Sequence, residues 1–372
     1  MNIKSVKVRC ASTVSKSSSL LPVSFLVNKF NVDLVSDMLL SAAASCDFFA
    51  IDTEFSGLEG GDAYRSRHLE TRYEAFRAMV GRFALLQIGL CFVRRTATGW
   101  KTAAFTLQVV CMQRYAVNPA SMVFLAEHGL SLTDCYKRGI PFTPPQACGS
   151  PQSKLEILWS KIAALRKPLV MHNGLADLLF VWRSFFGPLP ESCSQWIAMM
   201  SEHFPCIYDT KYLADSVACE EATYLQHLFR LAVARKTVKM EHVVIPDELQ
   251  VHADRTVVAT PTAICNQFAR HGNCRKGITC PYSHDIDFIV HVQEAKRLNV
   301  EPTRQSRPNN WSQRNEKKPQ MMHSAGFDAY ATAVVFASLR ERLGDAKVEA
   351  AMNHLYLMWH DRPLLFVPSQ YE

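Results

Sequence analysis

The alternation of apolar and polar positions along the chain predicts an α/β fold. Residues 48–51 form a short, uniformly apolar run, which indicates a strand buried on both faces. Two further strand-like runs, at 83–93 and 102–110, are separated by turn residues at 98–99, which indicates a hairpin. We expect this hairpin to pair with the first strand and to begin a mixed sheet.

Helical periodicity is clear between residues 64 and 80, where Leu69, Tyr73, Phe76 and Val80 recur at the spacing of one helix face. The same reasoning predicts other helices at 31–45, 118–129, 154–165, 210–218, 222–234 and 326–343. Short strands are predicted at 168–171 and 206–208, a loop at 141–153, and an irregular segment at 236–261.

Four carboxylates occur where these elements begin or end. Asp52 and Glu54 follow the apolar run and alternate, so both side chains leave one face of the strand. Asp177 begins the helix after strand 168–171, and Asp328 lies in the first turn of the last helix. Buried carboxylates repel each other unless a cation lies between them, and four acids can hold two divalent ions that cleave a phosphodiester bond. For the first pair alone, the alternative is a helix cap or a strand-end ion pair.

One histidine accompanies the last acid. His323 precedes Asp328 with four residues between them. An imidazole with a near-neutral pKa suits the deprotonation of an attacking water, so His323 is a candidate general base. The alternative is an ordinary capping or core histidine.

A second group of metal-ligating residues lies between the second and third acidic segments. Its spacing, Cys-x8-Cys-x5-Cys-x3-His, is that of a CCCH zinc finger, and the ligands are Cys265, Cys274, Cys280 and His284. Three thiolates and one imidazole complete a tetrahedral zinc site with no open position, so we expect a structural Zn²⁺ that supplies the folding energy of the finger.

Charge and cysteine content add two expectations. The net charge is +7, and residues 265–320 carry ten Lys and Arg against five Asp and Glu, which favours a polyanion at or after the finger; a solvated linker is the alternative. Nine of the twelve cysteines lie outside the finger with irregular spacing, as expected for reduced thiols inside a cell. No apolar run approaches the ~20 residues of a membrane span.

These motifs and their order resemble the DEDD 3′-exonucleases of the ribonuclease T and DnaQ fold, and within them the deadenylases of the CAF-one and PARN family. The residues that carry the resemblance are Asp-Thr-Glu-Phe-Ser-Gly-Leu at 52–58 and the His323-to-Asp328 spacing of the DEDDh subtype. A CCCH finger between the second and third motifs is similar to the layout of a nuclear deadenylase of this family. Flanking segments that agree are 166–175, 189–192, 207–212 and 283–287.

The resemblance implies a ribonuclease H-like, DnaQ-type mixed sheet flanked by helices, with an inserted CCCH finger. It implies a metal-dependent 3′–5′ exoribonuclease that uses two Mg²⁺ or Mn²⁺ ions held by Asp52, Glu54, Asp177 and Asp328, with His323 as base. The product would be a nucleoside 5′-monophosphate. The substrate would be single-stranded, adenosine-rich RNA with a 3′-OH end, including short tails of small nuclear RNAs.

Residues in both regions are candidates for contact with RNA, and the resemblance implies the aromatic positions of the finger. Phe55 and Ser56 follow the first acids and could contact the terminal nucleotide. In the finger, Phe268 and Tyr282 occupy positions that stack on bases, and Arg270, Arg275 and Lys276 could meet phosphates. The alternative is that both aromatic rings pack the finger against the nuclease domain.

The sequence predicts four parts: a disordered basic arm (1–30), a split exonuclease domain (31–260 and 321–372), the finger (261–290) and a linker (291–320). The first 32 residues lack Asp and Glu, which is also typical of a transit peptide. Nuclear residence is expected, with the cytoplasm as alternative because basic residues after the finger are scattered. A non-catalytic RNA-binding adaptor and a DNA proofreading-type exonuclease are the rival functions.

Overall fold

A computed structural model of the chain describes residues 24–146, 153–242, 263–298 and 324–367. The predicted base His323 lies outside the described residues, as do most of the predicted arm and most of the predicted linker. No helix within the described part of the chain is both long enough and apolar enough to cross a bilayer.

Ten strands are described, and eight of them form one mixed sheet. The strands are β1 Phe25–Val27, β2 Phe48–Phe55, β3 Leu85–Thr96, β4 Gly99–Cys111, β5 Ile140–Phe142, β6 Leu169–Met171, β7 Ile207–Asp209, β8 Met240–His242, β9 His354–Leu355 and β10 Leu364–Leu365. The sheet order is β1-β4-β3-β2-β6-β7, and β5 and β8 also pair with β4. β9 and β10 form a separate antiparallel hairpin.

Strand direction explains how the sheet presents its chemistry. β2, β3 and β4 form an antiparallel meander, whereas β6 runs parallel to β2 and β7 runs parallel to β6. The carboxyl ends of β2, β6 and β7 therefore meet at the same edge of the sheet. In open α/β sheets this is the edge where ligands bind.

Helices cover both faces of the sheet. They are α1 Val32–Ser45, α2 Leu69–Arg82, α3 Pro119–Glu127, α4 Leu132–Arg138, α5 Lys154–Ala164, α6 Leu175–Phe185, α7 Cys193–His203, α8 Thr210–Tyr212, α9 Leu225–Arg235, α10 Asn266–His271, α11 Ile286–Arg297, α12 Ala325–Leu343 and α13 Asp345–Ala350. α8 continues into a π-helical turn at Leu213–Val217 instead of the predicted uninterrupted α-helix.

Two hydrophobic cores form because β2 is apolar on both faces. Phe49 and Ile51 pack into one core with α1, α5, α6 and α7, while Phe48 and Ala50 pack into the other with α9 and α12. α12 is buried along nearly its whole length and crosses β2 and β3. Its start lies so close to β3 that a Cβ on Gly89 would be 1.8 Å from the carbonyl oxygen of Ala325. That close approach holds the first turn of α12, and Asp328 with it, against the sheet.

The mixed α/β fold is confirmed, and two domain boundaries were wrong. β1 lies inside the range predicted as a basic arm, because three apolar residues pair with β4. α11 extends to Arg297, so the boundary at 290 falls inside a helix that packs on α9. The sequence analysis also missed α4, α7, α13 and the short strands β5 and β8, whose apolar patterns are too short or too mixed to identify alone.

Candidate active site and CCCH cluster

Asp52 and Glu54 project from the central strand β2, at a point where one side of the strand becomes open. β6 pairs with β2 only at Phe49 and Ala50 and then ends at Met171. β2 continues for several residues beyond that point, still paired with β3 on its other side. The edge left free on the β6 side accommodates the segment that carries Asp177.

Asp177 is held against this edge by Thr53, which lies between the two acids of β2. The Thr53 hydroxyl donates a hydrogen bond to Asp177 Oδ1, and the Thr53 backbone also hydrogen-bonds to the Asp177 carboxylate. Asp177 is in the first turn of α6, where the free amide groups of the helix favour a negative charge. Residues that are 124 positions apart in sequence are thus joined through one carboxylate.

Asp328 completes the group from the first turn of α12. α12 packs on one face of β2, and α6, which carries Asp177, packs on the other face. Carboxylate oxygens of Asp52, Glu54 and Asp328 all lie within 4.8 Å of one another, a separation that one cation can bridge. Asp177 lies outside that set of three but is close enough to interact electrostatically with Asp52 and Glu54. The structure therefore brings all four predicted acids together.

Burial and mutual repulsion raise the pKa of these carboxyl groups. Burial is the largest cause at Asp52 and Glu54, followed by the charge of Asp328, and the pKa of both groups is raised well above its ordinary value. Burial raises the pKa of Asp177 to about 6, although the hydrogen bonds from Thr53 act in the opposite direction. A divalent cation would compensate this repulsion, so the four residues fit a metal centre.

Asp209 is a positioning residue that the sequence analysis did not single out. Its buried carboxylate accepts hydrogen bonds from the backbone amides of Asn173 and Lys211 (2.9 Å each) and of Tyr356 (3.0 Å). It thereby ties the end of β7 to the loop that leads into Asp177 and to the C-terminal segment. The family-like segment 207–212 contains it, but only the fold shows which amides it reaches.

The predicted zinc ligands also converge. Sγ atoms of Cys265, Cys274 and Cys280 and a ring nitrogen of His284 lie within 4.8 Å of one another. The Phe268 amide donates to Cys265 Sγ, and His284 Nε2 is buried with no hydrogen-bond partner among the described residues. Three thiols and an imidazole nitrogen that is otherwise unsatisfied fit a tetrahedral Zn²⁺ site.

Comparison with known proteins decides the family. The model of the CAF1 family ribonucleases matches residues 27–156 and 149–336, which is most of the chain and includes the four acidic residues. The chain belongs to the CAF1 ribonuclease family.

Individual relatives of this CAF1-family chain match over shorter stretches. The pre-piRNA 3′-exonuclease trimmer of Bombyx mori is 33% identical over 84 residues, which cover 21% of this chain and 16% of that protein. The poly(A)-specific ribonuclease PARN of Arabidopsis thaliana is 24% identical over 216 residues, covering 53% of this chain and 24% of that protein. The chain thus spans only a small part of the length of these curated relatives.

A solved structure shares the fold of the CAF1-family chain. The Mg²⁺- and Mn²⁺-bound form of S. pombe Pop2p superposes with a TM-score of 0.52 at 15% sequence identity, over 90% of this chain and 99% of that one. At this identity the likeness shows the fold, and it agrees with the predicted ribonuclease H-like sheet.

The finger is docked on the nuclease domain through α11. Ile286 and Val290 on α11 pack with Leu231 on α9, and Tyr224 and Phe268 close this small core.

Polar contacts also join α11 to the nuclease domain. His227 Nε2 and Gln293 Oε1 are 2.8 Å apart, and Arg235 bridges Glu294 and Glu220 at 2.9 and 3.2 Å. Because α9 packs on α12, a continuous set of contacts joins the finger to the helix that carries Asp328.

The predicted RNA-contacting residues divide into two groups. Tyr282, 50% exposed, and the exposed Arg270, Arg275 and Lys276 lie on the surface of the finger. Phe268, by contrast, stacks on His284 with ring centroids 4.4 Å apart and contacts Tyr224 with its edge. Of the two alternatives left open by the sequence, Phe268 therefore takes the packing role.

The contact predicted for Ser56 is wrong. Ser56 is fully buried, its hydroxyl donates to the Ala116 carbonyl at 2.7 Å, and it accepts from the Ala84 amide at 3.0 Å. Its role is to hold the chain after β2 against the core. Phe55 is half-buried and stacks on Phe180 with centroids 4.1 Å apart, which places its ring beside α6 near Asp177.

Proposed function

We propose that the chain is a metal-dependent 3′–5′ exoribonuclease that removes nucleotides one at a time from the 3′-OH end of single-stranded RNA and releases nucleoside 5′-monophosphates. The observation that carries this proposal is the convergence of Asp52, Glu54 and Asp328 within 4.8 Å on the ligand-binding edge of a CAF1-family sheet. Asp177 stands beside them, anchored by Thr53.

Two divalent cations, Mg²⁺ or Mn²⁺, would be held by the four carboxylates, with Asp52 and Asp328 on one ion or between both, and Glu54 and Asp177 completing the pair. When bound, such ions activate the attacking oxygen and stabilise the leaving oxygen of a phosphodiester. The Mg²⁺- and Mn²⁺-bound form of Pop2p supports this choice of ions.

The residues of the chain supply orientation and proton transfer. Thr53 holds the Asp177 carboxylate, and Gly89 allows α12 to bring Asp328 close to β2. His323, five positions before Asp328, takes the proton from the attacking water. Phe55, already stacked on Phe180, offers an apolar surface beside the acids for the terminal base.

The names of the relatives support the proposed substrate class. The name of PARN specifies poly(A), which supports an adenosine-rich 3′ end here, and the name of the trimmer specifies the 3′ end of pre-piRNA, which supports RNA as the substrate. The CCCH finger supports the finer similarity to the nuclear deadenylase called target of early growth response, and with it the trimming of small nuclear RNA tails. We place the protein in the nucleus, with the cytoplasm as the alternative, and a structural Zn²⁺ in the finger.

A panel of labelled oligomers tests the proposal. RNA and DNA of the same sequence, with adenosine or mixed 3′ ends and with 3′-OH or 3′-phosphate, are incubated with Mg²⁺ or without divalent ions. We expect stepwise shortening from the 3′-OH of RNA, fastest on adenosine ends, only when Mg²⁺ is present. Binding of RNA without hydrolysis under every condition would instead favour a non-catalytic adaptor, and preference for DNA would favour a proofreading-type exonuclease.

A further inference from the structure

A cavity of about 520 Å³ opens between the segment that follows β2 and the C-terminal hairpin, apart from the four carboxylates. Its walls carry Arg67, Arg72, Tyr212, His354, His360 and Arg362. Three arginines and two histidines in one cavity of nucleotide-sized volume favour an anionic ligand.

The cavity lies at the same edge of the sheet as the acids. Arg67 is on the segment after β2, and Tyr212 follows the end of β7 in the short helix α8. The C-terminal segment runs alongside β7, since Asn353 bonds to Ile207 at the beginning of the strand and Tyr356 bonds to Asp209 at its end. The residues after Tyr356 therefore continue beyond the carboxyl edge. The last part of β2 carries Asp52 and Glu54 at this edge, and the helix that follows β6 carries Asp177.

Arg72 supplies a buried positive charge in the wall. It is only 2% exposed, its Nε donates to the Ser66 carbonyl at 3.2 Å, and its Nη2 donates to the Met358 carbonyl at 3.0 Å. Within the described part of the chain, Arg72 forms no ion pair. Two carbonyl oxygens accept hydrogen bonds from its guanidinium but do not neutralise its charge, so an anion in the cavity would be favoured.

An exposed aromatic side chain lies on the C-terminal segment between Leu357 and His360, two residues that line the cavity. Trp359 is 64% exposed and has a left-handed backbone with φ of 64°, a costly conformation for a bulky residue. Arg65 lies over its ring at 5.3 Å from the centroid. An indole held in solvent beside a basic cavity has the composition of a site for single-stranded nucleic acid, in which a base stacks and the backbone follows the positive charges.

The geometry points to an accessory RNA subsite formed by the basic cavity and Trp359, which binds phosphates and one base on the 5′ side of the nucleotide being removed. The inference rests on the proposed function. Because the 3′ end must stop at the carboxylates, RNA that extends along this edge can only be the upstream part of the strand. Asp361, which pairs with Arg67 at 3.6 Å, is exposed and would be displaced from Arg67 by a phosphate.

The test uses the double variant Trp359→Ala/Arg362→Ala of the full chain. Its matched control is Tyr136→Ala/Arg138→Ala, an exposed aromatic and an exposed arginine on α4, which packs on β4 several strands away from β7. Fluorescence anisotropy without Mg²⁺ or Mn²⁺ gives Kd for oligoadenylates of about three and about fifteen nucleotides. Hydrolysis with Mg²⁺ gives kcat and KM on the same RNAs.

We expect Kd and KM for the long RNA to rise on the order of 10- to 100-fold in the cavity variant, with kcat unchanged and the short RNA unaffected. The slope of log Kd against log salt should become shallower by about 0.7, because the variant removes one arginine that would meet a phosphate. An unchanged Kd for the long RNA, an equal loss on the short RNA, or an equal loss in the α4 control would overturn the subsite. The same would hold if the cavity variant lost binding of an oligoglutamate peptide and kept binding of RNA, because the cavity would then bind an acidic peptide.

The two proposals can fail separately. If the wild-type protein hydrolyses no RNA, the proposed function is lost, whereas the anisotropy measurement still decides whether the cavity binds RNA. If hydrolysis is Mg²⁺-dependent but the cavity variant binds long RNA normally, only the subsite is lost.

Discussion

The CCCH cluster and the carboxylate centre are assembled in opposite ways. All four cluster ligands come from residues 265–284, and their spacing along the chain already specifies a tetrahedral site. The carboxylate centre collects its side chains from β2, α6 and α12, whose contact depends on the order of strands in the sheet. A local site can be found by counting positions, whereas a distributed site exists only after the fold has formed.

The two regions also differ in how they are stabilised before a metal arrives. Burial and like charges raise the pKa of Asp52, Glu54 and Asp177, so the carboxylate centre costs folding free energy when it is ionised without a cation. The nuclease domain offsets this cost with two large hydrophobic cores. The finger has little core of its own, and its only described core lies at the interface with α9. Metal loss should therefore disable one region without unfolding it and should unfold the other.

The largest effect is expected from Asp328→Asn. This variant, like Asp52→Ala, should lose Mg²⁺-dependent hydrolysis by on the order of 10³ or more, because an acid is removed from the group that would hold the ions. The fold should persist, with the same thermal unfolding profile or a higher Tm in the absence of Mg²⁺, since repulsion is relieved. Asp134→Asn, an exposed acid on α4, is the matched control. Retention of more than a few per cent of activity would remove Asp328 from the centre.

His323→Ala should lower the rate by on the order of 10²–10⁴ at neutral pH if the imidazole is the general base. Rate–pH profiles should show partial rescue at alkaline pH, where hydroxide is available from solution and no general base is needed to form it. His128→Ala, at the exposed end of α3, is the control. Equal rates for the variant and the wild type between about pH 6 and 9 would exclude the role.

Cys274→Ser tests the finger separately from the carboxylate centre. It should release zinc and unfold residues 265–284, while α11 stays packed on α9 through Ile286, Val290 and Arg235. We expect about tenfold weaker binding of long RNA and a shallower salt dependence, because Arg270, Arg275 and Lys276 are no longer held together. Turnover of a substrate of a few nucleotides should change little.

The control for the finger variant is Cys219→Ser, which replaces an exposed cysteine outside the cluster. Turnover on the short substrate decides the outcome. If Cys274→Ser loses this turnover while the nuclease domain remains folded, unfolding of the finger disturbs the acids through α9 and α12. The two regions would then not act independently.

The smallest effect concerns the pH dependence of stability. Burial raises the pKa of Asp177 to about 6, above its unfolded value of about 3.9, so the native state binds the extra proton. Without Mg²⁺ or Mn²⁺, but with zinc retained, the free energy of unfolding should fall as pH rises from about 4 through about 6. Asp177→Asn should remove the contribution of this residue to that fall, about 3 kcal/mol for a difference of about two pKa units. The free energy of unfolding is measured by chemical denaturation at each pH. If it depends on pH equally in the variant and in the wild type, burial does not raise the pKa of Asp177.

The sequence predicted the parts whose signal is local and missed those that depend on partners elsewhere. Asp52 and Glu54 were found from alternation, and the cluster ligands from spacing. Nothing near Ser56 shows that its hydroxyl lies between Ala84 and Ala116, and nothing in the finger shows that Tyr224 contacts Phe268. Asp209 was passed over for the same reason, since its three amide partners come from separate segments.

Short elements were missed because their patterns carry little information. β1 has three residues and is a strand only because β4 offers it a parallel partner. The basic cavity is built from segments that are distant in sequence, including Arg67 and Arg362, and no motif marks it. Long apolar runs and regular spacings, by contrast, can be recognised in the sequence without knowledge of the tertiary structure.

The most direct test of two independent metal regions is metal content measured on three proteins. Wild type, Asp328→Asn and Cys274→Ser are analysed for zinc by elemental analysis and for bound Mn²⁺ by electron paramagnetic resonance titration. We predict that Asp328→Asn loses tight Mn²⁺ binding and keeps its zinc, and that Cys274→Ser loses zinc and keeps Mn²⁺ binding. Tight Mn²⁺ binding that persists in Asp328→Asn, or the loss of both metals in either folded variant, would contradict the account.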